Sequence, residues 1–146
     1  MGRLGSLEAL KGQVEDLEVA RLTARRAAME LLRTRADLLR GEDRALVKMY
    51  LEAGSSFSQL ARLAGKNRSS VCRRIHRLLG RLADGTYPAC RRHPHLFDER
   101  ELAIVRDHFV RGISLARLCR DHQICYYRAR RIVEKARRVA HATQTP

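Results

Sequence analysis

The chain has no Trp and only three Pro, and aromatic side chains make up just 5% of its 146 residues. A core here cannot rest on large rings, so Leu, Ala, Val and Ile must fill it. Runs of β-branched residues are also missing, and what remains favours helix over sheet. No apolar stretch approaches the ~18 residues of a membrane span, and the N-terminus lacks the apolar segment of a signal peptide. The opening MGRLGS formally fits an N-myristoylation pattern through Gly2 and Ser6, but so short a pattern recurs by chance. Four cysteines occur, Cys72, Cys90, Cys119 and Cys125. Without a secretion signal they read as reduced thiols of a cytoplasmic protein. The length allows one ordinary domain or two very small ones.

Acidic residues are scarce beside basic ones. The chain has 16 Asp and Glu against 30 Lys and Arg, a net charge of +14, and Arg far outnumbers Lys. Such a field attracts polyanions and opposes self-association. Guanidinium groups suit bidentate contact to phosphate or to guanine edges. Nucleic acid is therefore the expected partner, a membrane is not, and the expected location is cytoplasmic and nucleoid-associated. Catalytic signatures are lacking too. The carboxylates are scattered beside Arg, no Gly-rich phosphate loop occurs, and neither an enzyme nor a cofactor is expected. Cys90, His93 and His95 lie close in sequence, with Cys119, His122 and Cys125 further on. The Cys119 to Cys125 spacing fits no common four-ligand zinc pattern, so no metal is expected.

What is present is helical periodicity. Residues 3 to 40 hold no Pro, and apolar residues recur at Leu7, Leu10, Val14, Leu17, Ala24, Ala28, Leu31 and Leu38. The spacing alternates three and four, a heptad pattern in which Arg21 and Arg35 interrupt the seam. It predicts one long helix over residues 1–41. Its first half is acidic (Glu8, Glu15, Asp16, Glu18) and its second basic (Arg21, Arg25, Arg26, Arg33, Arg35). That polarity suits antiparallel pairing of residues 7–38 in a homodimer, or another partner; alternatively the helix folds back onto its own chain. Gly41 is expected to end it.

Residues 42–82 then read as three short helices, Glu42 to Ala53, about Phe57 to Ala64 and about Arg68 to Leu82. Leu46, Val47, Tyr50 and Leu51 point inward from the first, and Val71, Ile75, Leu78 and Leu82 from the third. Asp84, Gly85, Pro88 and Pro94 mark a basic linker over 83–97. Residues 98–141 repeat the scheme. Asp98 to about Arg111 carries Leu102, Val105 and Phe109 inward, and is followed by Ser114 to about His122 and Tyr126 to about Ala140. Residues 142–146 are expected to be a disordered tail.

The tetrapeptide LARL occurs twice, but superposing its copies (an offset of 55) sets Ile75 against Arg130. An offset of 58 keeps buried size and the turn glycine. It matches Val47 with Val105, Leu51 with Phe109, Gly54 with Gly112 and Ser56 with Ser114. Further on it matches Leu60 with Leu118, Ala61 with Cys119, Val71 with Ala129 and Ile75 with Val133. The repeated unit is a trihelical helix-turn-helix, with Ala61 and Cys119 as the small residues where two helices cross. The expected fold is thus all-α, a long N-terminal helix followed by two tandem trihelical helix-turn-helix units.

The stretch SLARLCRDHQICYYRARRIVEKARR resembles the fourth conserved region of bacterial sigma factors. Ser114, Leu118, Cys119, Ile124, Cys125, Arg128 to Arg131, Ile132 and Ala136 carry the likeness. Gln123 departs from it, replacing a turn glycine. The first unit keeps Leu60, Ala61, Gly65 and Val71, and is similar to the helix-turn-helix of many transposases and regulators. The resemblance implies a sequence-specific double-stranded DNA-binding protein, a transcriptional regulator, whose last helix in each unit reads the major groove. Asn67, Arg68, Ser69, Cys72 and Arg73 would contact bases from unit one, and Tyr126, Tyr127, Arg130 and Arg131 from unit two. Of the two tyrosines, Tyr126 is expected to be the more buried. Ser56, Arg74, Arg77, Arg91, Arg92, Ser114, Arg128 and Lys135 would hold phosphates. A 15-residue linker reaching ~50 Å would let both units sit in successive grooves. RNA polymerase or another protein remains a candidate partner for the N-terminal helix. The alternative readings are a DNA-end-binding module of transposase or recombinase machinery, and a phage-type DNA-packaging adaptor.

Overall fold

The computed structural model describes residues 2–144, with side chains from residue 5 onward. Among these residues the chain is all helix, with no strand. α1 is Gly2–Arg35, followed by a single 3-10 turn, Ala36–Leu38. Then come α2 (Gly41–Leu51), α3 (Phe57–Ala64), α4 (Arg68–Ala83), α5 (Thr86–Arg91), α6 (Glu99–Phe109), α7 (Leu115–His122) and α8 (Tyr126–Gln144). None of these helices is long and apolar enough to cross a membrane.

The 58-residue offset recurs in the backbone. The starts of α2, α3 and α4 at 41, 57 and 68 become those of α6, α7 and α8 at 99, 115 and 126. Individual hydrogen bonds recur with them. Ser55 N–H donates to the Met49 carbonyl (3.2 Å), as Ile113 N–H does to that of Asp107 (3.0 Å). Lys66 N–H donates to the Ala61 carbonyl (3.0 Å), as Ile124 N–H does to that of Cys119 (3.1 Å). Side chains set these turns. The Ser56 hydroxyl accepts from Gln59 N–H and that of Ser114 from Arg117 N–H, each covering a donor the helix start leaves open. At the far end, Gly65 (φ +66°) and Gln123 (φ +53°) both take the left-handed conformation that closes the short helix.

Burial follows the same register. Val47 and Val105, Leu60 and Leu118, Val71 and Ala129, and Ile75 and Val133 are all buried. The small cluster of Leu46, Leu60, Ala61, Val71 and Ile75 belongs to α2, α3 and α4 alone. The large cluster does not respect the repeat. It joins Val47 and Leu51 of α2 and Leu78 and Leu82 of α4 to Ile104, Leu118, Ile132 and Ala136 of the second set. The two halves therefore share one core.

Three expectations change here. Residues 83–97 are not an extended linker: they contain α5, and Tyr87, Ala89, Cys90 and Phe97 are buried. Pro88 sits in the first turn of α5, where a missing N–H costs no helix bond. The long helix ends at Arg35, earlier than Gly41, and Gly41 (φ +53°) instead opens α2. Beyond Met29 the helix end docks on the body. Met29, Leu32 and Leu38 pack against the large core, and Ala36 and Leu39 are buried in it. The Arg35 guanidinium, one of the two seam interruptions, donates to the Leu82 carbonyl at 2.8 Å. Of the expected tail, residues 142–144 are helical in α8, and residues 145 and 146 lie outside the described residues.

One polar cluster is specific to the second half. Asp107 is nearly buried, yet meets Arg111 Nη1 at 2.8 Å and His122 Nε2 at 2.8 Å, while Arg106 lies at 3.4 Å. Burial alone would raise its carboxyl. The hydrogen bond to His122 and the Arg106 and Arg111 charges outweigh that and hold it below the usual carboxylate range. Arg111 Nε also donates to the Leu38 carbonyl at 3.1 Å, tying α6 to the chain after α1.

Candidate nucleic-acid interface

α4 and α8 follow the two short capped helices, and each shows a basic face. α4 contains no carboxylate. Asn67 starts it, its side-chain oxygen accepting from Ser70 N–H at 2.8 Å. That oxygen is occupied by the cap; the amide nitrogen is the part free to meet a ligand. Arg68, Ser69, Arg73 and Arg77 are exposed, and no ion pair among the described residues holds these three guanidiniums. Cys72 is half-buried, its Sγ 3.7 Å from His76 Nδ1.

On α8, Tyr126 and Tyr127 are both exposed, at 55% and 68%, Tyr126 being the more covered of the two as expected although neither is buried. The Arg131 guanidinium stands over the Tyr127 ring, 5.7 Å from its centre. Tyr127, Arg128, Arg131, Lys135 and Arg138, with Glu101 and Ile132, line a shallow groove of about 490 Å³. Four of these cations fall at three- and four-residue steps, which aligns them along one helix face. Arg138 was not among the expected site residues, although that same spacing from Arg131 and Lys135 marks it. Arg130 points elsewhere, to Glu134 at 3.0 Å on an exposed surface. Such a pair is weak in water and yields readily to a phosphate or base.

Several expected phosphate contacts have other occupations. Arg74 is clamped between Asp43 (2.6 Å) and Glu42 (3.2 Å) of α2 and is mostly covered. Lys135 binds Glu101 at 3.0 Å and the Leu96 carbonyl, and its ammonium lies 4.4 Å from the centre of the Phe97 ring. Both cations join the third helix of their set to the first, through Asp43 and Glu101, which are equivalent at the 58-residue offset. Their charge is balanced at home, so Arg74 contributes position, and Lys135 borders the groove as part of an ion pair. The Ser56 and Ser114 hydroxyls are engaged as helix caps. Arg91 rests over the Tyr87 ring at 5.9 Å, and Arg92 is exposed beside it.

The cysteines divide by environment. Cys125 is exposed at the start of α8, and Cys90 is fully buried with its Sγ 3.7 Å from the Ala136 carbonyl. Burial pushes the Cys90 thiol up to about 11, with Lys135 opposing the shift. Among the described residues no three His, Cys, Asp or Glu side chains converge as a metal site would require. Comparison with protein-family models, with curated proteins and with solved structures gives no match.

Proposed function

We propose that this protein binds double-stranded DNA in a sequence-specific manner and acts as a transcriptional regulator. In this reading the two three-helix sets are tandem helix-turn-helix units, and α4 and α8 are the helices laid in the major groove. The observation that carries it is the recurrence of one backbone scheme, capped short helix, left-handed turn, basic helix, with exposed guanidiniums on the last helix both times. A solvated basic face would need neither the repeated turn nor the near absence of carboxylates on α4 and α8. Arg68, Arg73, Arg130 and Arg131 are assigned to base edges. Arg77, Arg128 and Arg138 are assigned to phosphates, which position the helix without reading sequence. The shared core makes the spacing between the two helices a property of the fold.

Selection of bound duplexes from a random pool tests this. A defined motif should be enriched, and Arg130→Ala with Arg131→Ala should relax discrimination at particular positions by about 1–3 kcal/mol each. Binding without any enriched motif, lost at modest salt, would leave only a nonspecific polyanion binder.

A further inference from the structure

The apolar stripe of α1 from Leu7 to Leu17 lies exposed, away from the body. Leu7, Leu10, Val14 and Leu17 are 53–68% exposed, while the contacts to the body begin at Met29. Docking is confined to the helix end, where Arg33 donates to the Leu51 carbonyl (3.1 Å) and Arg35 to the Leu82 carbonyl. Helices in proteins draw most of their stability from packing of an apolar face, and here that face is left in water. The stripe has the alternating three- and four-residue spacing of a two-helix seam.

We infer that this stripe is covered by the α1 of a second copy of this chain, running antiparallel. Charge decides the direction. A parallel pair sets Arg21 against Arg21 inside the seam and stacks the acidic half on the acidic half. The antiparallel pair relieves that Arg21 contact and brings Glu8 alongside the partner's Arg21 to Arg26 segment, with Glu15 and Asp16 at heptad positions outside the seam. Charge also decides the register. With Val14 across from the partner's Leu17, Leu7 meets the partner's Ala24 and Arg21 meets the partner's Leu10. Lys11 then flanks the seam beside the partner's Glu18, and symmetry makes this pair twice. A shift by one heptad would set Lys11 beside Arg25 and Glu18 beside Glu18, both repulsive. The pairing centre lies between residues 15 and 16. At 1.5 Å per residue the helical bodies begin ~30 Å to either side of it, at opposite ends of the pair. A closed two-fold pair of DNA-binding bodies calls for an inverted-repeat target.

Sedimentation equilibrium of the full chain without DNA tests the pairing separately from the DNA reading. The mass should rise with concentration to twice the 16.7 kDa of one chain and stop there. Leu17→Arg, at an exposed position, should leave helicity of the body intact and weaken association at least ~tenfold, since each pair contains the site twice. Lys11→Glu or Glu18→Lys alone should weaken it, and the two together should restore it. Carbodiimide should join Lys11 to Glu18 between isotopically distinct copies. A monomer at every concentration, a larger closed ring, a dimer indifferent to Leu17→Arg, or charge variants without mutual rescue would each overturn the inference.

Discussion

Gln123 holds a conformation that L-residues other than Asn and Asp rarely adopt, and it does so where the first half uses Gly65. The two positions perform the same task, closing a short helix three residues before the next one starts. The left-handed region costs a residue with a Cβ about 1–2 kcal/mol, and glycine loses about 0.5–1 kcal/mol in chain entropy. Gln123→Gly should therefore stabilise the protein by about 0.5 kcal/mol, and Gly65→Ala should destabilise it by about 1 kcal/mol. Urea denaturation monitored by circular dichroism reads both. A Gln123→Gly variant less stable than the parent would mean that the Gln123 side chain supplies an interaction the backbone argument omits. The strain was foreseeable from sequence, because Gln stands where the repeat places glycine. The clamping of Arg74 and Lys135 was not, since an arginine in an Arg-rich helix carries no mark of which carboxylate lies across from it.

At the level of single elements, α5 is the main departure from the sequence reading. Asp, Gly and two Pro in 15 residues describe a linker by composition, and six helical residues are too few to show a period. Tyr87 and Cys90 became core because α5 packs against α6 and α8, and the apolar surface of α8 is remote in sequence. Thiol chemistry checks the packing. Iodoacetamide should label Cys125 readily in the folded protein and Cys90 only on unfolding, because Cys90 is covered and its thiolate is suppressed. Labelling of Cys90 at the rate of Cys125 would show that α5 is not held against α8. α1 is the converse case. Its heptad pattern correctly marked one long helix, yet the same pattern includes Leu31 and Leu38 on equal terms, and only the fold separates the docked end from the exposed stretch.

For the whole molecule, the shared core has a direct thermodynamic consequence. Leu78 of α4 is buried among residues of both halves, so its loss should be felt by both. Leu78→Ala should destabilise by about 3 kcal/mol while preserving one unfolding transition. Hydrogen exchange of α3 and α7 should accelerate together. Two separated transitions, with α7 unaffected, would mean that the halves fold independently, as beads on a flexible linker would. Rigid coupling also bears on the proposed DNA binding, in which a duplex would have to present its contact sites at the one separation this core imposes.

Helix type, the 58-residue register and the identity of the turn residues are local properties. They follow from the period of apolar side chains, from a serine that can cap and from a glycine that can turn, and the chain alone was enough to read them. Which cations remain free, where the linker stops being a linker and how much of α1 stays exposed depend on surfaces brought together from distant parts of the chain. Burial and ion pairing are relations between elements, and they exist only once the elements have packed.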